Sequence, residues 1–289
     1  MGKLGKKGIK IEKIIELYNK GLNTAQIAEE LGCCHSNISK RLKKIGIEYQ
    51  RDYSKVRRSR LGRYEVDVNF FDFIDSEAKA YFLGLMYSDG SVTKDFFYTK
   101  LKDEDILQKF RQELKSNAPI KRIEKPWSAY KIVINCQELC KQLIKHGCVP
   151  NKTRVIQVPN LRKDLYRHFI RGFFDGDGCL QLNDKIYHCR FDITCASLKF
   201  LEQLRPIITQ HAKTNGYLGK ETKYEVWHLN YNGHQVEDIL DWLYKDSHFY
   251  LQRKYDKYQI LKMYQVRLKQ GELLESPEVG NQQPSYRSA

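Results

Sequence analysis

Apolar residues in the first 47 positions recur at helical spacing in three short runs. The first run passes through Ile14 and ends at Gly21, and Asn23 with Gln26 three positions later is an N-cap signal for a second helix. Gly32 permits a tight turn before the third run. The inner positions of that run are Ile38, Leu42 and Ile45. The pattern predicts a small all-α helix-turn-helix domain over residues 1–47.

The outer face of the third predicted helix is polar and basic. In a helix-turn-helix the second helix of the motif lies in the major groove of DNA, so this face predicts DNA contacts. The residues concerned are Ser36, Asn37, Lys40 and Arg41. The alternative is a three-helix bundle whose basic face is only solvated, and the clustered charge favours DNA binding over that alternative.

Residues 48–66 read as a basic linker. Ten Lys or Arg lie between Lys40 and Arg63, against Glu48 and Asp52. Such a segment suits a phosphate backbone or a minor groove, and Arg57 with Arg58 is predicted to contact DNA there. A flexible solvated tether is the other interpretation of the same composition.

An apolar pattern is repeated within the chain at a spacing of 88 residues. YFLGLMYSDG at residues 81–90 aligns with HFIRGFFDGDG at residues 168–178, which places Asp89 opposite Asp177. Each copy also carries two small residues one helical turn apart, which allows two helix backbones to touch. If the copies pack together, the two aspartates emerge side by side at the helix ends, followed by glycines.

The net charge of the chain indicates which class of molecule it binds. The 289 residues include 50 Lys or Arg and 35 Asp or Glu, for a formal net charge of +15, and the isoelectric point is near 9.3. Polyanions, and nucleic acid first among them, are the expected partners. The sequence has no apolar run of membrane-spanning length and no signal-peptide pattern, so we expect a cytoplasmic protein that does not contact membranes. Its eight cysteines lack zinc-site spacing and are expected to be reduced.

These two motif copies resemble those of the LAGLIDADG homing endonucleases, in the single-chain form. The motif match covers residues 82–90 and 170–178. The pattern after each copy also resembles that family's repeat: a strand pair, a helix, another strand and a helix. The implied fold is α+β, with two pseudo-symmetric αββαββα repeats whose antiparallel sheets form a DNA saddle. The repeats are expected over residues 67–158 and 159–268, and residues 269–289 read as a disordered tail.

In that fold one face of each sheet is covered by helices and the other is open. Basic residues on the open face would suit double-stranded DNA. The candidates are Lys100, Lys121, Lys131, Arg122 and Arg190.

Two aspartates held together at helix ends repel each other, so either their pKa values rise or divalent cations neutralise them. Magnesium prefers oxygen ligands and is commonly held by one or two carboxylates plus substrate phosphates, which suits phosphodiester hydrolysis. The resemblance implies that Asp89 and Asp177 are catalytic metal ligands for two or three Mg²⁺ ions. It also implies that the carbonyls of Ser88 and Gly176 contribute.

The resemblance further implies a basic residue near each scissile phosphate. Lys152 and Lys254 lie at comparable places at the ends of the two repeats, and an ammonium there would orient water or offset transition-state charge. Any one lysine in so basic a chain is otherwise a surface charge. Asp175 is expected to be no more than a secondary acid, and Arg171, unusual in an interface helix, is expected to point outward.

The function expected from the sequence is therefore metal-dependent double-strand cleavage of a long DNA site by a monomer that carries both motifs. A non-catalytic DNA-binding regulator on the same scaffold and an intron RNA maturase are the alternatives. The paired aspartates favour the enzyme over the regulator. The helix-turn-helix, which reads duplex major grooves, favours DNA over RNA.

Overall fold

The computed structural model describes residues 9–20, 22, 24–33, 35–45, 57–58, 64–124, 128–182, 189–221 and 223–269. The chain divides into two compact units, Met1–Lys55 and Val56–Ala289. The predicted tail at 270–289 and most of the predicted linker lie outside the described residues. The end of that linker belongs to the second unit, where β1 (Arg57–Arg58) pairs with β2 (Glu65–Val66).

The first unit contains the three helices that the apolar pattern predicts. They are α1 (Ile11–Asn19), α2 (Thr24–Glu30) and α3 (His35–Lys44). Their buried side chains form one small cluster of Ile14, Leu17, Ile27, Ala28, Ile38 and Leu42. Gly32 has a positive φ of 61°, as the tight turn requires. Ile45, expected on the inner face, follows the end of α3 and is 43% exposed. Gly21 and Asn23 lie outside the described residues.

The second unit contains two runs of elements in the same order. The first run is α4 (Glu77–Ser88), β3 (Gly90–Val92), β4 (Phe97–Leu101), α5 (Glu104–Glu113), β5 (Ile120–Ile123), β6 (Ala129–Ile134) and α6 (Gln137–Lys145). The second run is α7 (Tyr166–Asp177), β7 (Gly178–Gln181), β8 (Arg190–Cys195), α8 (Leu198–Ala212), β9 (Tyr217–Glu221), β10 (Val226–Asn232) and α9 (His234–Tyr244). A further helix, α10 (Gln252–Lys269), follows, and short 3₁₀ turns cover Lys152–Arg154 and Lys163–Leu165.

Each run builds one four-stranded antiparallel sheet. The strand orders are β3-β4-β6-β5 and β7-β8-β10-β9, so the two sheets have the same topology. The predicted α+β class with two antiparallel sheets is confirmed. Residues 223–225 form a turn, and β10 follows it and runs to Asn232. None of the described helices has the length and apolar character needed to cross a membrane.

The two motif helices, α4 and α7, pack backbone to backbone at their glycines. A Cβ added to Gly84 would lie 2.0 Å from the carbonyl oxygen of Phe169, and one added to Gly172 would lie 2.0 Å from that of Tyr81. Only glycine permits two helix backbones to approach so closely. The close contact between α4 and α7 continues to the C-terminal ends of both helices. The rest of each helix is enclosed by the main hydrophobic cluster, in which Phe174 stacks on Phe191 of β8 at 4.3 Å between ring centroids.

Candidate functional site

The ends of α4 and α7 meet at the two motif aspartates. Asp89 is the C-cap of α4, and Asp177 is the last residue of α7. A Cβ added to Gly176 would lie 2.0 Å from the Oγ of Ser88 and 2.6 Å from Oδ2 of Asp89. The carboxylate of one motif copy therefore lies directly against the backbone of the other copy.

The two carboxyl groups are in unequal surroundings. Asp89 is half-buried, and burial together with the nearby Asp177 carboxylate raises its pKa to about 7. Asp177 is an exposed residue, yet the surrounding protein removes part of the water around its carboxylate and raises its pKa above the ordinary value. The ammonium groups of Lys152 and Lys254 oppose both shifts. The burial of the two carboxyl groups thus outweighs the opposing effect of the two lysines on their pKa values.

Lys152 and Lys254 donate hydrogen bonds to the backbone at the two helix ends. The Nζ of Lys152 lies 3.0 Å from the Ser88 carbonyl oxygen and 2.6 Å from that of Gly90. The Nζ of Lys254 lies 2.9 Å from the Asp175 carbonyl oxygen and 2.6 Å from that of Gly178, and it also bonds the carbonyl of Phe174. Each ammonium therefore meets the negative end of a helix dipole and satisfies carbonyls left free there.

The two lysines differ in burial. Lys254, near the start of α10, is only 4% exposed, and this desolvation lowers its pKa to about 8. Lys152 stands in the 3₁₀ turn Lys152–Arg154 and is half-buried. Lys152 and Lys254 thus contact the ends of matching helices, but Lys254 is buried in the protein interior whereas Lys152 is not.

Asp175, expected to be a secondary acid, is fully buried and bonded to the protein interior. Its Oδ2 accepts hydrogen bonds from the hydroxyl of Tyr81 at 2.7 Å and from the backbone N–H of Leu251 at 2.8 Å. Burial raises its pKa. The matching position in the first motif copy is Tyr87, whose hydroxyl donates to the carbonyl of His146 at 2.5 Å. Both side chains therefore anchor the segments that precede the two lysines.

Arg171 does not point outward. It is fully buried, and its guanidinium donates to the carbonyl of Phe249 at 2.7 Å and to Oε1 of Glu77 at 2.7 Å. It also bonds the carbonyl of Leu243 and Nδ1 of His168. The expectation was wrong because the interface supplies a carboxylate, Glu77, at the start of α4, which pairs with the charge.

An open cleft of about 430 Å³ lies beside Asp177 on the side of the second sheet, and Asp89 is not part of its lining. Its lining includes Ser88, Lys152, Asp177, Cys179 and Thr194. No cluster of three or more His, Cys, Asp or Glu side chains able to hold a metal ion occurs within the described residues. A cation at the aspartates would therefore need ligands from backbone, water or substrate, which is the usual mode for Mg²⁺.

Three of the predicted DNA-contacting lysines lie in one row across the first sheet. Lys100 of β4 pairs with Lys131 of β6, which pairs with Lys121 of β5. The Nζ of Lys131 also lies 3.8 Å from the ring centroid of Tyr98. Arg122 is exposed but follows Lys121 in the strand, so alternation places it on the opposite face.

The other residues predicted to contact DNA lie on three different elements, β8, α3 and β1. Arg190 of β8 pairs with Asp192 at 2.9 Å. In the first unit, Asn37 and Lys40 are exposed, whereas Arg41 is tied to the carbonyl of Ile9 and to Asn37. Ser36 lies in the first turn of α3, and Arg57 with Arg58 forms β1.

The second motif copy lies in a region with a recognised family signature. Residues 164–215, from the start of α7 through α8, match the family model of a LAGLIDADG-like domain. The chain contains a LAGLIDADG-like domain. The match includes Gly176 and Asp177, whereas the first copy, with Asp89, lies outside the matched residues. The LAGLIDADG-like region thus supplies one of the two carboxylates directly.

Curated relatives of this chain have varied names. A probable translation initiation factor IF-2 of Thermococcus kodakarensis is 30% identical over 136 residues, covering 44% of this chain and 11% of the relative. The protein of the same name in Methanocaldococcus jannaschii is 27% identical, covering 53% of this chain and 14% of the relative. An uncharacterized protein of the latter organism is 24% identical, covering 59% of this chain and 82% of the relative. This chain thus spans only a small fraction of the two named relatives.

Solved structures with similar chain paths include a WhiA protein from Thermatoga maritima, at 15% identity and a TM-score of 0.46, covering 72% of this chain and 66% of that one. The LAGLIDADG meganuclease I-AabMI bound to uncleaved DNA has 15% identity and a TM-score of 0.45, covering 66% of this chain and 91% of that one. Variants of the homing endonuclease I-DmoI have 16% identity and a TM-score of 0.42, covering 60% and 97%. Scores at this level carry no information on activity.

Proposed function

We propose that this LAGLIDADG-like protein is a site-specific endonuclease that cuts both strands of a long double-stranded DNA site with divalent cations. The observation that carries the proposal is the meeting of Asp89 and Asp177 at the ends of two packed helices, with Asp89 lying against Gly176. Mg²⁺ is commonly bound by two carboxylates together with oxygens of substrate phosphates. Both are supplied by one chain, so the proposed active form is a monomer.

The electrostatics of the site support the binding of a divalent cation at Asp89 and Asp177. Burial disfavours the charged forms of both carboxyl groups and raises their pKa values, and a divalent ion bound there would stabilise the charged forms. Such an ion would supply hydroxide and stabilise the leaving oxygen of a phosphodiester. In this scheme Asp89 and Asp177 hold the metal, with the carbonyls of Ser88 and Gly176 as further donors. Lys152 and Lys254 hold the helix ends in position and offset charge in the transition state.

Double-stranded DNA is the proposed substrate because of the charge of the whole chain and of the first sheet. The formal charge is +15, and three lysines stand in one row on the sheet face. A row of like charges is unfavourable by itself and is stabilised by a polyanion. The three-helix unit at Met1–Lys55 would add contacts through the exposed Asn37 and Lys40.

A DNA-binding regulator without nuclease activity is the second candidate, and one observation favours it. The ammonium of Lys152 already occupies the carbonyl of Ser88, which the nuclease scheme assigns to the metal. Lysines at both helix ends would allow the scaffold to persist without a bound ion.

The two candidates are separated by incubating the full chain with a randomised duplex library, with Mg²⁺ or with EDTA, and sequencing the DNA ends. We expect recurring cuts at one long site, and only with Mg²⁺. The control is the full chain carrying Asp89→Asn and Asp177→Asn, which should retain the same duplexes uncut. Retention of a selected sequence by the unmodified chain, without cutting in either condition, would establish the regulator instead.

A further inference from the structure

The two sheets of the second unit have the same strand order and can be matched position by position. Gly90 opens β3 and pairs with Thr99 of β4, whereas Gly178 opens β7 and pairs with Ile193 of β8. Thr99 therefore corresponds to Ile193. The next residue of each strand, on the open face, is Lys100 in the first sheet and Thr194 in the second.

The matched rows on the open faces differ completely in chemistry. In the first sheet the row is Lys100, Lys131 and Lys121. In the second sheet Thr194 pairs with His228, and His228 pairs with Gly219, so the corresponding row is Thr194, His228 and Gly219. Each of the three lysines is replaced, and the second row has neither Lys nor Arg.

The lysine row suits contacts that are indifferent to base sequence. Directly opposed like charges are unfavourable in a sheet, and a bound polyanion would offset that repulsion. A lysine ammonium is a flexible point charge that suits phosphate oxygens, and although it can donate to O6 and N7 of guanine, its geometry is less defined than that of arginine. A row of three such groups therefore favours phosphate contacts over a defined base pattern.

The second sheet instead has a fixed network of donors and acceptors. The Nδ1 of His228 lies 3.2 Å from Oδ1 of Asp192, and its Nε2 lies 3.1 Å from Oε2 of Glu221. Asp192 also holds Arg190 at 2.9 Å. Carboxylates repel phosphates at close range but accept hydrogen bonds from the cytosine amino group, and Arg donates to guanine. These side chains are half-buried or locked by partners, which favours a defined geometry.

We propose that the two sheets of the second unit contact DNA in different ways. The first sheet, β3–β6, anchors one half of the site through phosphates, and the second sheet, β7–β10, reads base edges in the other half. Sequence specificity is then concentrated in the half-site under the second sheet. The inference rests on the proposed function for its partner, double-stranded DNA, and does not require that the DNA be cut.

The test is selection of duplexes from a randomised library by the full chain in EDTA, followed by sequencing of the retained DNA and titration of individual duplexes. Two variants probe the two faces: Lys131→Ala in the first sheet and Asp192→Asn in the second. Lys131→Arg is the matched control that keeps the charge. Thermal melting of each variant verifies that it folds.

The expected result has two parts. The unmodified chain shows strong base preference in one half of its site and weak preference in the other. Asp192→Asn, which releases Arg190 and His228, changes the preference at one or two adjacent positions of the strong half by about tenfold. Lys131→Ala weakens all duplexes alike, by about three- to tenfold, and lowers the salt dependence by about one phosphate contact, whereas Lys131→Arg does neither.

Equal base preference in both halves would overturn the division, as would a changed preference in Lys131→Ala or uniform weakening by Asp192→Asn. A one-sided preference in a protein that never cuts with Mg²⁺ would refute the endonuclease and leave the division of the sheets standing.

Discussion

Asp89 and Asp177 occupy the same position in two copies of one motif, yet their surroundings have diverged. Asp89 is half-buried, with a pKa of about 7, and lies against the opposite helix, whereas Asp177 is at an exposed position. A carboxyl group that ionises only near neutral pH in the free protein binds a cation in competition with a proton. The two halves of the site are therefore chemically unequal before any substrate binds.

The single substitutions Asp89→Asn and Asp177→Asn are each expected to abolish double-strand cutting while changing DNA affinity by less than about threefold. The amide keeps the shape of the carboxylate but removes a charged metal ligand. Cleavage of supercoiled plasmid carrying the site distinguishes the products, and nicked circles are the most that either variant should give. Normal linearisation by either one would contradict the assignment of the metal site.

The two lysines should differ in their contribution to stability. Lys254→Met removes three hydrogen bonds to backbone carbonyls in the interior, so the free energy of unfolding should fall by about 2–4 kcal/mol. Lys152→Met removes two hydrogen bonds from a half-buried side chain beside the open cleft, where water can reach the Ser88 carbonyl, so the loss should be about 1 kcal/mol. Urea unfolding of both variants measures the difference. Equal losses would show that the burial of Lys254 has no energetic consequence.

At the scale of elements, the pair α4 and α7 determines where the site lies. The helices approach through Gly84 and Gly172, and a second connection is made by the buried Arg171, whose guanidinium pairs with Glu77 of α4. His168, one turn before Arg171, accepts from that guanidinium through Nδ1 at 3.0 Å and is therefore neutral in the fold. Close packing and a polar network thus act on the same pair of helices.

Gly84→Ala should destabilise the protein although alanine is the better helix former. Helix propensity alone would raise stability by about 1 kcal/mol. The added methyl group, however, would lie 2.0 Å from a backbone oxygen of α7, so we expect a net loss of about 2 kcal/mol or more. Thermal and urea unfolding measure the sign, and Gly172→Ala should behave alike because its methyl group meets Tyr81 at the same distance. A gain in stability would show that the helices are not in contact there.

His168 should make part of the stability dependent on pH. Burial, and then the charge of Arg171, lower its pKa from 6.5 to about 4. Between those values the unfolded chain binds more protons than the folded one, so this contribution is complete above pH 6.5 and is lost as the pH falls through 4. His168→Asn retains an acceptor for Arg171 and does not titrate there. The melting temperature of the variant should therefore fall less from about pH 7 to about pH 4 than that of the unmodified chain, and parallel curves would refute this account.

At the scale of the whole molecule, the net charge of +15 dominates encounter with nucleic acid. About ten neutralised phosphates give a slope of about −9 for the logarithm of the association constant against the logarithm of salt concentration. Filter binding or fluorescence anisotropy between about 50 and 200 mM salt measures that slope. A response with no dependence on salt would eliminate the basic surface as a DNA-binding face.

The sequence predicts those parts of the molecule that have a strong local pattern. The motif helices, their paired glycines and the repeated order of elements follow from apolar spacing and from a repeat of 88 residues. The orientation of Arg171 does not follow, because Glu77 lies 94 residues away and has no local relation to it. The strands β5 and β9 are implied by the αββαββα resemblance but do not follow from the local pattern, because they are short edge strands with several exposed positions and little alternation. The burial of Lys254 likewise depends on tertiary packing, since a lysine has no sequence signature for an interior position.

The Arg171–Glu77 pair also makes the two halves of the chain chemically different from each other. The repeat of 88 residues matches Glu77 with Leu165 and Arg171 with Leu83. Two copies of the second half associating with each other would therefore bury Arg171 opposite Leu165, a charge without a counterion, and two copies of the first half would leave Glu77 opposite Leu83. Each half thus supplies one member of a charged pair that the other half completes. Separating the halves into two genes should therefore yield fragments that associate with each other in preference to themselves.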